Sequence, residues 1–315
     1  MNYEKEYQKH NYYYFLIYLL ANVLMNKELV FDSFKQSTNI LINNLAPSLF
    51  PMFIISEILI NYNFGTYLTI ILGKFINKYL KISSNCFLLL ILSILSGFPS
   101  SAKNIRTMYE NKEINKEEAS LLLTFTHFSN PLFILGVITS FLNNNQTLSI
   151  IILISHYLPN FIILILMRKK LTINNSNIKP NYKLNFPKVL MSAISNSVST
   201  LLMILGTLSF FLILSEILIN NLNINTATKL IIKATLEVTQ GLSYLSSLNI
   251  NNIYKVILSS MFLSFGGFCI HFQIISQIND TDISYSPFFI FRVFHMILSG
   301  IISFIIYTLY FSLFT

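Results

Sequence analysis

The sequence predicts a helical, polytopic membrane protein with a duplicated core and broken helices, on three observations. Charged residues make up 11% of the 315-residue chain and hydrophobic residues 53%, with a mean hydropathy of +0.60. A soluble domain is roughly a quarter charged. Apolar stretches recur along the chain, and the longest polar ones, residues 100–119 and 168–188, are too short to build a core. Finally, apolar segments are interrupted in corresponding halves, at Gly97-Phe98-Pro99 and Asn130-Pro131 and again at Gly266-Gly267. Gly and Pro at membrane depth free backbone groups that hydrocarbon cannot satisfy, so such breaks persist only under a cover of protein or water. Paired breaks of this kind mark the binding site of a secondary transporter.

Residues 1–38 read as an N-terminal membrane segment and an interfacial helix. Lys5 and Lys9 before the apolar run Tyr12 to Met25 imitate a secretory leader, but no small-x-small cleavage site follows, so the segment is expected to stay. Lys27 to Thr38 is amphipathic and expected at the interface. Residues 39–167 form the first repeat with a connecting span. Ile40 to Ile60 carries Pro47, Pro51 and Glu57, and Gly65 to Leu80 is short, with Lys74 and Lys78 one turn apart. Cys86 to Phe98 falls short of the roughly 20 residues of a full crossing and predicts half of a re-entrant hairpin or a discontinuous helix. Leu121 to Leu142 and Leu148 to Met167 are long enough to span, the second holding Pro159.

Residues 168–188 form a basic linker: Arg168, Lys169, Lys170, Lys179, Lys183 and Lys188 stand without an acidic neighbour. That places the linker on the cytoplasmic side, where it also suits anionic lipid headgroups. The net charge of +8 gathers on no single face, so nucleic acid is not an expected partner. Residues 189–315 form the second repeat. Val189 to Thr200 has a serine-rich face, Leu201 to Ile219 is a strong span ending in Glu216, and Thr228 to Ser246 is amphipathic. Ile253 to Ile275 contains the glycine break and Pro287 to Phe314 is the last span, giving eight to ten membrane segments. Ser48 to Ile60 (SLFPMFIISEILI) aligns with Thr207 to Ile219 (TLSFFLILSEILI), pairing Glu57 with Glu216. Gly97-Phe98 then matches Gly267-Phe268, and His127 falls near the place of His295.

Carboxylates in apolar spans are expected to work in ion coupling or substrate contact, which singles out Glu57 and Glu216; the alternative is that each faces headgroups. Glu237 is followed by Thr239, Gln240 and Gly241, a set suited to a polar cavity or to the polar face of an interfacial helix. His271 stands two residues before Gln273, and Arg292 one turn before His295. An arginine in an apolar span predicts an anionic ligand or a buried acid, unless it snorkels outward. Lys103 and Arg106 follow the Gly97 break, and if Ser100 caps a helix there its amides favour an anion. The run Glu110 to Glu118 reads as a solvated turn, and His156 as a histidine satisfying its neighbours. Cys86 and Cys269 lie in apolar segments as small hydrophobes. The chain carries no HExxH, GxSxG or phosphate loop, so no enzyme, metal or cofactor is expected.

Four stretches carry a family resemblance: SGFPSSAKNIRTMYENKEINKEEASLLL from Ser96, SNPLFILGVI from Ser129, LEVTQG from Leu236 and GGFCIHFQIISQINDTDISYSPFFIFRVFH from Gly266. The chain resembles the YlbJ family of sporulation integral membrane proteins, which carry nucleoside-recognition (Gate) domains. That resemblance implies an all-α core of two inverted repeats with re-entrant hairpins, similar to concentrative nucleoside transporters. It implies movement of dipicolinic acid from the mother cell across the outer forespore membrane. By position it places Gly97, Phe98, Pro99, Ser100, Ser101, Lys103, Asn130, Pro131, Glu237, Thr239, Gln240, Gly241, Gly266, Gly267, His271 and Gln273 along the substrate path. Arg292 and His295 would lie close by. The chain is shorter than typical members, and Ser100-Ser101 stands where smaller residues such as Gly are usual. The basic and helix-terminal features fit the dipicolinate dianion and other organic anions equally. A nucleoside or other neutral solute, or a non-transporting membrane scaffold, are the competing expectations, and a homo-oligomer is compatible with this kind of fold.

Overall fold

A computed structural model describes residues 2–171 and 185–314, and among these every regular element is helical. In order they are α1 (Asn2–Met25), α2 (Lys27–Asn39), α3 (Ala46–Asn61), α4 (Phe64–Phe75), α5 (Ser84–Ser96), α6 (Ser100–Glu110), α7 (Lys116–Phe125) and α8 (Thr139–Phe141). Then come α9 (Gln146–Met167), α10 (Phe186–Asn221), α11 (Thr226–Leu236), α12 (Val238–Ser247), α13 (Asn252–Phe265), α14 (Gly267–Ile278) and α15 (Ser286–Phe314). Wide π turns join α2 to α3 (Ile40–Leu45) and lead into α8 (Phe133–Ile138).

Five helical stretches are long and apolar enough to cross a membrane: Lys27–Asn61, Gln146–Lys170, Phe186–Asn221, Asn252–Ile278 and Ser286–Leu313. A sixth candidate is the pair Ile70–Leu80 and Ser84–Ser96, bent by 90°. The chain is an all-α polytopic membrane protein, with fewer complete spans than the eight to ten expected. Three merged or divided segments explain the difference. The Lys27 to Thr38 helix runs on through the π turn into α3, so it is part of a span and not a separate interfacial element. Val189 to Thr200 and Leu201 to Ile219 are one helix, α10; Ser192, Ser195 and Ser199 are exposed on it, while Ser197 is buried and bonds back to the Ala193 carbonyl. Leu121 to Leu142 is not a continuous span, because α7 stops at Phe125 and helix resumes only at Pro131. The expected linker residues Lys179 and Lys183 lie outside the described residues.

Each half has the same order of parts. A long helix ending in Ser-Glu-Ile-Leu-Ile (α2–α3, then α10) precedes two interrupted helices and a final unbroken span (α9, then α15). The interruptions fall at residues 97–99 and 126–130 in the first half, and at Glu237 and Gly266 in the second. By this order the Gly97 break corresponds to the one at Glu237, and the Gly266 break to the one at 126–130. The match of Gly97-Phe98 to Gly267-Phe268 therefore pairs a first break with a second. Likewise His295, on the final span α15, has its counterpart in His156 on α9 and not in His127. The halves interlock, with α15 packed on α9 and α7, and α14 on α6.

The break expected beside Gly241 lies at Glu237, four residues earlier. Gly241 is helical and serves close packing: a methyl group there would lie 2.3 Å from the Ala234 Cα. Gly241→Ala should therefore cost about 1–3 kcal/mol through overpacking of the α11–α12 hairpin. Gly206→Ala, where a methyl group meets nothing within 4 Å, should be neutral or slightly stabilising. Thermal unfolding in detergent distinguishes the two.

The turn from α6 to α7 is less solvated than its charge suggests. Asn115 and Glu118 form a reciprocal capping box at the start of α7, and Glu113 is buried. Burial pushes the Glu113 carboxyl up to about 7, against a hydrogen bond from Asn111 that lowers it. Its folded pKa exceeds the unfolded value, so this group favours folding most at low pH and progressively less as pH rises from about 4.5 to about 7. Glu113→Gln should remove that fall, seen as a flatter dependence of melting temperature on pH in this window.

Candidate functional site

The backbone at the first two breaks is accounted for by neighbouring chain. Phe98 N–H donates to the Phe128 carbonyl at 3.0 Å, tying one break to the other. Gly97 has φ +71, and a methyl group on it would sit 2.8 Å from Asn130 N, so only glycine lets these strands of backbone meet. Asn130 caps the helix beginning at Pro131: its Oδ1 accepts from Leu132 N at 2.7 Å, while its Nδ2 donates to the Leu95 carbonyl. Across the 126–130 break, α9 supplies the partners. His156 Nε2 accepts from Ser129 N at 2.9 Å, Tyr157 donates to the Ser129 carbonyl, and Asn160 donates to the His127 carbonyl at 2.7 Å.

Arg292 of α15 completes this set. It is fully buried, and its guanidinium donates to the Thr124 and His127 carbonyls, to Asn160 Oδ1 and to His295 Nδ1. The Thr124 carbonyl belongs to the abandoned end of α7 and the His127 carbonyl to the break that follows it. Arg292 thus caps a broken helix; it neither snorkels nor pairs with an acid. His295 passes the chain on, donating from Nε2 to the His156 carbonyl at 2.8 Å, which fixes a neutral tautomer with Nδ1 as acceptor.

The second-half breaks are handled alike. Gly266 and Gly267 have φ of +89 and +69. A methyl group on Gly267 would lie 3.2–3.3 Å from the Ala234 and Leu236 carbonyls and Val238 N, so this break abuts the one at Glu237. His271 bonds through Nε2 to the carbonyl of Phe265, the last residue of α13, at 3.1 Å, and through Nδ1 to the Tyr285 hydroxyl. Glu237 caps α12 by accepting from Thr239 N at 3.0 Å and Gln240 N at 2.6 Å. By contrast α6 begins at Ser100 behind Pro99, with no side-chain cap. Ser100 is inside the helix and does not cap it.

All four breaks meet at one internal cavity. Its walls are Phe98 and Pro99 from the first break, Ser129 and Asn130 from the second, Glu237, Val238 and Thr239 from the third, and Cys269, Ile270 and Gln273 just beyond the fourth. Leu45, Ser48 and Leu49 of the first long helix and Ile204 and Leu208 of α10 close it. The space open to the centre of a water-sized sphere is about 50 Å³, enough for only a few waters. Of the expected path residues, Phe98, Pro99, Asn130, Glu237, Thr239 and Gln273 line it. Gly97, Pro131, Gly266 and Gly267 shape the backbone beside it. Ser100, Ser101, Lys103, Gln240, Gly241, His271, Arg292 and His295 are outside its walls. Ser129 escapes the sequence reading, because a serine beside Asn-Pro carries no distinguishing pattern; Cys269 reads there only as a small hydrophobe within the Gly266 to Gln273 stretch.

The two repeat glutamates hold matched positions in ion pairs. Glu57 accepts from Lys103 Nζ at 2.8 Å and from Asn196. Glu216 pairs with Lys233 and accepts from Gln240 Nε2. In each half the long helix is thereby fastened to an arm of the first broken helix. His127 differs from the other membrane histidines. It is buried, stacked on Phe98 at 4.5 Å, and neither ring nitrogen has a hydrogen-bond partner.

Interrupted helices that meet at a buried, partly polar cavity in an all-α polytopic protein define a membrane protein of the broken-helix class. The sequence is similar to sporulation integral membrane protein YlbJ of Bacillus subtilis (strain 168), 26% identical over an alignment 317 positions long that takes in 89% of this chain and 78% of that protein. This similarity supports a YlbJ-type family assignment. No protein-family profile matches the chain, and no solved structure matches it.

Replacing Arg292 should uncover several buried acceptors at once. Arg292→Leu is expected to lower stability by about 3 kcal/mol or more, and Arg292→Lys by less, since a single ammonium reaches fewer of them. Unfolding of the purified variants in detergent measures both.

Proposed function

We propose that this protein is a multi-pass transporter of the sporulating cell that carries a small organic anion, dipicolinate, from the mother cell into the forespore. The observation that carries this reading is the convergence of four helix breaks on one cavity. Irregular backbone inside a membrane is tolerated where it lines a solute path, and duplicated breaks belong to alternating-access carriers. The YlbJ similarity supports the sporulation setting, and with it the outer forespore membrane as the location. The uncapped start of α6 at the cavity wall gives an anion a set of backbone N–H groups and the positive end of a helix. In this reading residues 39–167 and 189–315 are the two repeats, moving against each other, and the basic segment 168–188 stays in the mother-cell cytoplasm. The contracted cavity corresponds to a state that must widen before cargo enters.

A second cargo is favoured by a specific observation. The polar groups on the cavity wall other than Glu237 are neutral: Ser48, Ser129, Asn130, Thr239, Cys269 and Gln273. Such a wall also suits a hydrogen-bonding neutral solute such as a nucleoside. Uptake of labelled dipicolinate and of labelled uridine into proteoliposomes separates the two. The expected result is dipicolinate uptake by the wild type, with an initial rate about tenfold lower for Asn130→Ala, the loss of roughly 1.4 kcal/mol of binding. Uridine uptake without dipicolinate uptake transfers the assignment to the second cargo. Spores lacking the protein yet holding normal dipicolinate would end the specific proposal.

A further inference from the structure

Glu237 poses an electrostatic problem for an anion carrier. Its side chain is 2% exposed and lies on the cavity wall. The carboxylate oxygens accept two backbone N–H groups, and no ion pair to Glu237 occurs among the described residues. The surrounding charges do not compensate for it. On α10 and α11, Glu216 and Lys233 neutralise each other. From α14 the cavity receives the Cys269 thiol and the Gln273 amide, and from the first-half breaks the uncharged Phe98, Pro99, Ser129 and Asn130. A dianion entering this space would face a negative charge that has no cation beside it and is held only by N–H groups at the start of α12, and like charges at this range repel strongly.

Resting on the transport reading above, we propose that Glu237 is the proton-carrying group of the transporter, loaded with one proton for each anion moved. Protonation removes the repulsion and gives the Glu237 carboxyl, which lies on the cavity wall, an O–H donor. The proton comes from water on the entry side, resides on a Glu237 oxygen during the crossing, and returns to water on the exit side; no bond of the cargo changes. A proton fits this place better than a metal cation. It needs a single oxygen, which the Glu237 carboxyl supplies, whereas a metal ion needs a shell of them. This moves coupling away from Glu57 and Glu216, whose carboxylates are already occupied by lysines.

The test uses the full chain in proteoliposomes with a pH-reporting dye inside and dipicolinate as the probe. Wild-type uptake should acidify the lumen by about one proton per dipicolinate beyond a protein-free control. A lumen more alkaline than the outside should drive accumulation, and a sodium gradient should not. In Glu237→Gln the proton-to-solute ratio should fall to near zero, and Glu237→Asp should restore it. Should the Gln variant bind but not transport, calorimetry in buffers of different ionisation enthalpy replaces the flux ratio, with about one proton taken up on binding by the wild type and none by the variant. Uptake without lumen acidification, sodium-driven accumulation, or an unchanged proton ratio in Glu237→Gln would each overturn the proposal while leaving transport standing. Absence of any wild-type dipicolinate uptake would overturn the transport reading and this inference with it.

Discussion

The structure depends on one requirement: each carbonyl freed where a helix breaks inside the membrane must find a donor from protein. An unsatisfied peptide group costs several kcal/mol in hydrocarbon. Around the 126–130 break the donors and acceptors are His156, Tyr157, Asn160 and Arg292, drawn from the two final spans of the halves. At the 266 break His271 answers the Phe265 carbonyl. These polar side chains stand behind the cavity wall and line none of it themselves; His156 and Tyr157 bond directly to Ser129, which does. Their positions in otherwise apolar helices follow from the breaks they serve, and the breaks in turn exist because the cavity needs irregular backbone around it.

The same accounting distributes charge. The cations that might have received an anion are committed elsewhere: Lys103 to Glu57, Lys233 to Glu216, Arg292 to carbonyls. What reaches the cavity is one carboxylate, neutral polar groups and helix beginnings. The site is thus poorer in positive charge than the chain's net +8 suggests.

Much of this was legible in the sequence, and the reasons differ by element. Composition disclosed the membrane, because hydrocarbon excludes charge so strongly that 11% charged residues leaves little choice. The Gly97 and Gly266 breaks were visible because a positive φ or a close backbone approach demands glycine. The Glu237 break was displaced to Gly241, since a glutamate that caps a half-helix looks no different in sequence from one on a polar face. Arg292 stands out in the sequence as an arginine in an apolar span, but in place of the expected anion or acid it meets carbonyls, which every residue has and no sequence pattern reveals. The pairing of Glu57 with Lys103 and of Glu216 with Lys233 was hidden for a related reason: one lysine follows its break and the other precedes it.

The bond from Arg292 to the Thr124 carbonyl joins positions 168 apart in the chain. A ribosome adding roughly 5–20 residues per second needs on the order of ten seconds or more to pass from one to the other. Throughout that interval the end of α7 has emerged and its arginine has not. Helix α9 can serve Ser129 and the His127 carbonyl of the nascent first half, but the Thr124 carbonyl must find its donor in water, lipid headgroups or the insertion machinery until the last helix arrives. The order of synthesis makes the C-terminal span the closing piece of the N-terminal hairpin.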